Sequence, residues 1–265
     1  MPQNSRAQKL EAFGRLLDIM DDLRAKCPWD REQTMESLRQ LTIEETYELA
    51  DAILDENLEE VRKELGDLLL HMVFYSKIGE EKGAFDVADV LNGICEKLIH
   101  RHPHIYGDVQ AEDTNTVLQN WEKLKLKEGA KKSVLEGVPR SLPAMVKATR
   151  IQEKVRGVGF DWDAPEPVWA KVYEELEELR FEVEKGESED RISEELGDAL
   201  FALINYARII GVTPENALER TNKKFVARFQ WMEERARKDG RSVAELKLAD
   251  WDVYWELAKK DLERP

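Results

Sequence analysis

Soft metal ligands are scarce in these 265 residues: two cysteines and four histidines, with no zinc-type spacing among them. Cys27 and Cys95 need not pair, which fits a reducing compartment. Positive charge is short as well. Forty Lys and Arg against 55 Asp and Glu leave a net charge of −15. That balance argues against a broad DNA- or RNA-binding surface, since phosphate-backbone affinity comes mainly from clustered cations. No uninterrupted apolar run reaches membrane-spanning length, and the polar beginning of the chain has no signal-peptide apolar region. No membrane partner and a cytoplasmic location are therefore expected. Strand-like alternation, a Gly-rich phosphate loop, a Ser/His/Asp set and a catalytic cysteine are also missing.

What remains is rich in aliphatics, Glu, Lys, Arg and Ala, and reads as almost entirely helical. Helices are predicted over 10–24, with Phe13, Leu16, Leu17 and Met20 on the apolar side, then over 35–54, 58–78, 86–101 and 114–127. Residues 129–143, with Lys131, Lys132 and Pro139, read as a connector. The pattern then restarts: a helix over 144–156, two helices folded about 185–190, and two more over 215–238 and 248–262. Thr213 and Pro214 are placed as N-cap and first helical residue. The expectation is an all-α chain of two tandem helical domains, 1–128 and 144–265, joined by 129–143.

Each half carries two acidic pairs placed symmetrically about a turn. Glu45/Glu48 and Glu64/Asp67 are centred on Glu56; Glu175/Glu178 and Glu195/Asp198 are centred on the Gly186–Glu187 bond. In a helical hairpin, residues equidistant from the turn sit at equal height, because each rises ~1.5 Å. Glu178 then faces Glu195 and Glu175 faces Asp198, and the i,i+3 spacing keeps each pair on one side. Four carboxylates converge on one small volume, twice. Beyond each Asp the second arm is apolar nearly all round, over 68–75 in the first half and over 196–210 in the second, where Asp198, Asn205 and Arg208 are the strongly polar side chains. Such an arm needs cover on several sides, so each Asp is expected to open a buried segment, where an uncompensated carboxylate is costly. Four-helix-bundle-like packing, completed in a homodimer, would supply the cover.

Oxygen donors without a His or Cys partner suit a hard cation, Mg²⁺ or Mn²⁺. A di-iron bundle would need Glu-x-x-His on paired helices, which does not occur. The ordinary alternative is the solvated face of a Glu-rich helix in a chain with 36% charged residues; recurrence of order, spacing and symmetry argues against it. Lys224 and Arg228 form an i,i+4 basic pair, as do Lys97 and Arg101; like charges so placed repel unless an anion or carboxylates lie between them. Trp255 and Lys259, and likewise Trp121 and Lys125, could stack a base and meet a phosphate, or could equally be core Trp with a snorkelling Lys. Trp251 reads as packing, His71 as a core histidine, and the alternating His100, His102 and His104 as structural or capping groups.

Glu44-Glu45-x-x-Glu48 with Glu64-x-x-Asp67, and Glu174-Glu175-x-x-Glu178 with Glu195-x-x-Asp198, resemble the signature of the MazG family of nucleoside triphosphate pyrophosphohydrolases. Cys27-Pro28-Trp29-Asp30 and Arg101-His102-Pro103-His104 add to the similarity, which covers nearly the whole chain in the family's tandem form. The resemblance implies an all-α fold, usually dimeric, that cleaves nucleoside triphosphates, ribo and deoxy, to monophosphate and pyrophosphate with Mg²⁺, the C-terminal domain being the main catalytic unit. It implies Glu175, Glu178, Glu195 and Asp198 as metal ligands, with Glu45, Glu48, Glu64 and Asp67 as a second candidate site. It implies nucleotide contacts at Lys171, Val172, Tyr173, Glu174, Glu175, at Arg191, Ile192, Ser193, Glu194, Asp198, and at Lys224, Arg228, Trp255, Lys259. Glu174, beside the ligand face, is the candidate for orienting or deprotonating the attacking water. The competing functions are a non-catalytic nucleotide-sensing or protein-binding helical dimer, and a dUTP-selective all-α diphosphatase.

Overall fold

The computed structural model describes residues 4–107 and 133–262. The predicted helix 114–127, with Trp121 and Lys125, and the first part of the connector lie outside the described residues. The chain divides into two compact units, Met1–Trp121 and Glu122–Pro265. Among the described residues every regular element is helical.

The first unit holds α1 (Arg6–Lys26), α2 (Pro28–Glu32), α3 (Met35–Leu54), α4 (Leu58–Glu81), α5 (Val87–Arg101) and α6 (Pro103–Tyr106). Capping boxes at Ser5, Thr34 and Asp86 start α1, α3 and α5 by satisfying backbone N–H groups that have no intrahelical partner. The core joins α1, α3 and α4 through Met20, Leu38, Val73, Phe74 and Ile78, with Phe13, Leu16 and Leu17 packed against it as the periodicity of α1 implies. His71 is buried in this packing, and burial lowers its pKa. Arg24 closes the α1–α2 corner, donating to the carbonyls of Asp30 and Gln33 and pairing with Glu81.

The second unit holds α7 (Ala144–Arg156), α8 (Pro165–Lys185), α9 (Glu189–Ile209), α10 (Pro214–Lys238) and α11 (Leu248–Leu262). Val168, Val172, Ala199 and Ala202 are buried on α8 and α9, while Met232, Ala236, Tyr254 and Ala258 lock α10 to α11. Trp251 packs there and stacks on Phe229, as expected of a packing residue.

The apolar second arms are not covered on every side. Leu65, Leu69 and Met72 on α4, and Leu196, Leu200 and Phe201 on α9, stay exposed. Each arm is buried on several sides beyond its Asp, at His71, Val73, Phe74 and Ser76 and at Ala199, Ala202, Ile204 and Asn205, so the expected cover is met in part and an apolar strip on each stays open within the described residues. No single described helix is long and apolar enough to cross a membrane.

Both acidic hairpins turn through three residues, 55–57 and 186–188, by the same device. Gly186 sits at φ 72°, the Glu187 N–H bonds the Glu182 carbonyl at 3.1 Å and the Gly186 N–H bonds that of Val183. Glu56 sits at φ 54°, with Asn57 N–H on Ala52 and Glu56 N–H on Ile53. This left-handed helix end suits glycine and strains a residue with a Cβ. Gly186→Ala should therefore cost about 1 kcal/mol, and Glu56→Gly should gain up to about 1 kcal/mol, in denaturant unfolding. Stabilisation by Gly186→Ala, or destabilisation by Glu56→Gly, would show that the two turns do not share this left-handed end.

Candidate functional site

Hairpin closure brings the acids of the second unit together from both arms. One carboxylate oxygen from each of Glu175, Glu195 and Asp198 lies within 4.8 Å of the others. Glu175 is 7% and Glu195 3% exposed, so two ionisable groups of like sign are held out of water. Asp198 is exposed. In the first unit Glu45, Glu48 and Glu64 converge in the same way, with Glu64 buried and Asp67 exposed. The expectation that each Asp opens the buried segment is thus corrected: the glutamates one turn earlier, Glu64 and Glu195, are the buried acids of the second arms, and the aspartates are exposed. Glu178 is exposed and lines, with Glu195 and Arg191, an open depression of ≈ 510 Å³.

Each buried glutamate of the second unit carries a cation from its own helix, four residues earlier. Lys171 Nζ lies 2.5 Å from Glu175 Oε1 and 2.7 Å from Glu174 Oε1. Arg191 pairs with Glu195, and its other nitrogens reach Glu194 at 3.0 Å and Glu182 at 3.8 Å. The hydrogen bonds to Glu174 and then Glu175 raise the Lys171 pKa, and those to Glu194 together with the charge of Glu195 raise that of Arg191. The corresponding positions of the first unit, four before Glu45 and four before Glu64, are Leu41 and Glu60. The first cluster therefore has no such counter-charge, and burial followed by the charges of Glu48, Asp67 and Glu64 raises the Glu45 pKa.

Glu175, Asp198 and Lys171 also form one end of a cavity of ≈ 240 Å³ that runs between α7, α8 and α9. Its far end is lined by Gln152, Asn205 and Trp162. Arg208 holds that end in shape: Nη1 donates to Asp161 Oδ2 at 3.0 Å, Nη2 donates to the other oxygen, and Nε donates to Asn205 Oδ1 at 3.1 Å. The bidentate pair ties the 157–164 segment, and with it Trp162, to α9. Sequence reasoning noted Asn205 and Arg208 as the polar exceptions on an apolar arm and did not assign them. Their i,i+3 spacing beside Asp161-Trp162 was the available signal. Gln152 gave none.

The remaining expected contact residues fall into three places. Tyr173, Glu194 and Ser193 are exposed near the acids, whereas Val172, 1% exposed, is a core side chain and Ile192 is half-buried. Lys224, Arg228, Trp255 and Lys259 lie on α10 and α11 and line neither cavity. Arg228 is buried with its guanidinium 5.3 Å over the Trp255 ring, which also packs against Phe225; Lys259 pairs with Glu256 at 2.6 Å. Lys97 and Arg101 share the end of α5. His102 Nδ1 donates to the Leu98 carbonyl, 2.7 Å away, the capping arrangement expected of it.

Three hard oxygen donors drawn together around buried charge fit a divalent cation of the Mg²⁺ or Mn²⁺ kind. Lys171 and Arg191 each pair with one of the buried carboxylates.

Residues 33–106 and 164–232 each match the family model described as the MazG nucleotide pyrophosphohydrolase domain. The chain is 42% identical over 258 residues to a nucleoside triphosphate pyrophosphohydrolase of Escherichia coli (strain K12), covering 95% of this chain and 98% of that one. It is 45% identical over 251 residues to the nucleoside triphosphate pyrophosphohydrolase/pyrophosphatase MazG of Thermotoga maritima, covering 93% and 95%. An uncharacterised Bacillus subtilis protein, YabN, is 43% identical over 256 residues, which is 95% of this chain and 52% of that one.

If the arginine is a stand-in counter-charge, Arg191→Gln should lower the thermal midpoint in chelator, and millimolar Mn²⁺ should restore it. Glu195→Gln should remove the Mn²⁺ effect. A midpoint of Arg191→Gln that ignores both chelator and Mn²⁺ would rule out a cation site there.

Proposed function

The chain belongs to the MazG nucleotide pyrophosphohydrolase family and is an enzyme; from that premise we propose that it cleaves nucleoside triphosphates, ribo and deoxy, to the monophosphate and pyrophosphate at the acidic hairpin of its C-terminal unit. The observation that carries this is the convergence of Glu175, Glu195 and Asp198 with Lys171 and Arg191 beside them. Glu175, Glu178, Glu195 and Asp198 would hold Mg²⁺, for which Mn²⁺ could substitute. A divalent cation there supplies Lewis acidity at the α-phosphoryl group and offsets the charge of the leaving pyrophosphate.

The chain's own groups do the rest. Lys171 and Arg191, which pair with Glu175 and Glu195, would be placed to take phosphate oxygens if those carboxylates held a cation. Lys224, Arg228 and Lys259 are further phosphate contacts in this proposal, and Trp255 an outer aromatic contact. Glu174 sits on the ligand side of α8 with its Oε1 on Lys171. It orients a water toward the α-phosphorus and accepts its proton as the new P–O bond forms and the α–β bridging bond breaks. The exposed apolar faces of α4 and α9 fit a homodimer. The first unit, with Leu41 and Glu60 where the second has cations, is proposed to bind a cation without turning over triphosphate.

Incubation with ATP, dCTP and the other common triphosphates plus Mg²⁺ should release pyrophosphate and not orthophosphate. Glu174→Gln should lower kcat about 10²-fold or more while leaving cation-induced stabilisation intact; loss of that stabilisation would make Glu174 a ligand instead. A chain carrying both Glu175→Gln and Glu178→Gln should be inactive, and substantial residual pyrophosphate release would assign turnover to the first unit.

A further inference from the structure

The two acidic hairpins share a scaffold and differ in what answers their charge. In the second unit each buried glutamate is held by a cation from one turn earlier on its own helix, Lys171 on Glu175 at 2.5 Å and Arg191 on Glu195. Both cations also hold an exposed carboxylate of the same helix: Lys171 reaches Glu174 at 2.7 Å and Arg191 reaches Glu194 at 3.0 Å. Arg191 Nε lies 3.8 Å from Glu182 on the opposite arm as well. Each cation can therefore leave its buried acid and keep a partner.

The first unit keeps the outer pair and reverses its polarity. Glu60 and Lys63 pair at 2.6 Å where the second unit has Arg191 and Glu194. The residue one turn before the buried Glu64 is thus an acid, and Lys63, next to Glu64 in the chain, is not on its side of the helix. Leu41, packed against the core, stands where the second unit has Lys171. Seven residues beyond Glu45 is the buried Ala52, against Glu182 seven beyond Glu175, so the holder of the arginine is gone along with the arginine.

A divalent cation and these two side chains compete for the same oxygens. Taking Glu195 from Arg191 separates a buried ion pair, and that cost subtracts from the binding of whatever replaces the arginine. The apparent affinity is then the intrinsic one scaled down by the fraction of chains whose carboxylates stand free. The first hairpin has no such competitor to displace.

We infer that Lys171 and Arg191 act as built-in competitors of the divalent cation, an autoinhibitory contact that makes the second hairpin fill only at a higher cation concentration than the first. Between the two midpoints the first hairpin is loaded while the second is still closed by its own side chains. This rests on the cation binding proposed above, so the test reads binding and leaves turnover aside.

The full-length chain, without nucleotide, is titrated with Mn²⁺, the free ion being read by its EPR signal. Paired Glu45→Gln and Glu64→Gln changes identify the binding that belongs to the first unit, and paired Glu175→Gln and Glu195→Gln changes that of the second. The first-unit midpoint should lie about tenfold or more below the second-unit one, and Arg191→Gln should tighten the second by about tenfold without moving the first. Arg180→Gln is the control for bulk charge, because Arg180 lines the same open depression as Arg191 but pairs with Glu177 and Glu184; it should move neither midpoint. Glu60→Arg, which rebuilds the arginine four residues before Glu64, should weaken the first-unit midpoint by a similar factor, and it decides the matter if Arg191→Gln does not fold without cation.

The inference is overturned by equal midpoints in the native chain, by an unmoved second midpoint in Arg191→Gln, by an Arg180→Gln shift of the same size, or by a Glu60→Arg first unit that binds as before. Absence of any Mn²⁺ binding that depends on Glu175 and Glu195 would overturn the proposed cation site along with it.

Discussion

Carboxylates of like sign do not gather unless a scaffold makes them, and here the scaffold is a pair of antiparallel helices that packs better closed than open. Val168, Val172, Ala199 and Ala202 bury apolar surface along α8 and α9, and that burial offsets the repulsion among Glu175, Glu195 and Asp198. The site is thus strained by its own packing, and something positive must answer it. In the second unit Lys171 and Arg191 do so from within the same helices. An internal counter-ion of this sort is exchangeable, because a side chain that neutralises a carboxylate in one state can neutralise a phosphate in another.

The two units apply one architecture to different ends. Their hairpins and turns match and each gathers three acids, though Glu48 is the third in the first unit and Asp198 in the second; Leu41, Glu60 and Phe74 stand in the first unit at the counted positions of Lys171, Arg191 and Asn205 in the second. Each replacement removes either a positive charge or a polar lining group. The first unit spends the corresponding space on a continuous apolar core through Met20, Leu38 and Phe74, while the second keeps a cavity. The duplication therefore accounts for the fold of both halves but not for equal chemistry in both.

Helix positions and the pairing of the acidic arms were legible in the sequence because both depend on spacing alone: helices over Met35–Leu54, Ala144–Arg156 and Leu248–Leu262 coincide with the periodic segments. The depth of each acid was not legible. Periodicity says which side Asp67 and Asp198 face but not how deep each carboxylate lies: Glu64 and Glu195 are buried while the two aspartates are exposed. Nor could spacing reveal Gln152, which reaches the site across a tertiary contact from α7 to the Phe201 carbonyl. The apolar girth of α4 and α9 was visible, but it overstated the cover that the described residues provide.

The three-residue turns behave as a ruler. One residue inserted between Lys185 and Glu189 would rotate α9 by about 100° against α8 and slide it by about 1.5 Å, turning Glu195 and Asp198 away from Glu175. Surface loops ordinarily tolerate such length changes. In this chain the loop on the outside fixes the phase of the acids on the inside, so its length is held as tightly as any interior side chain.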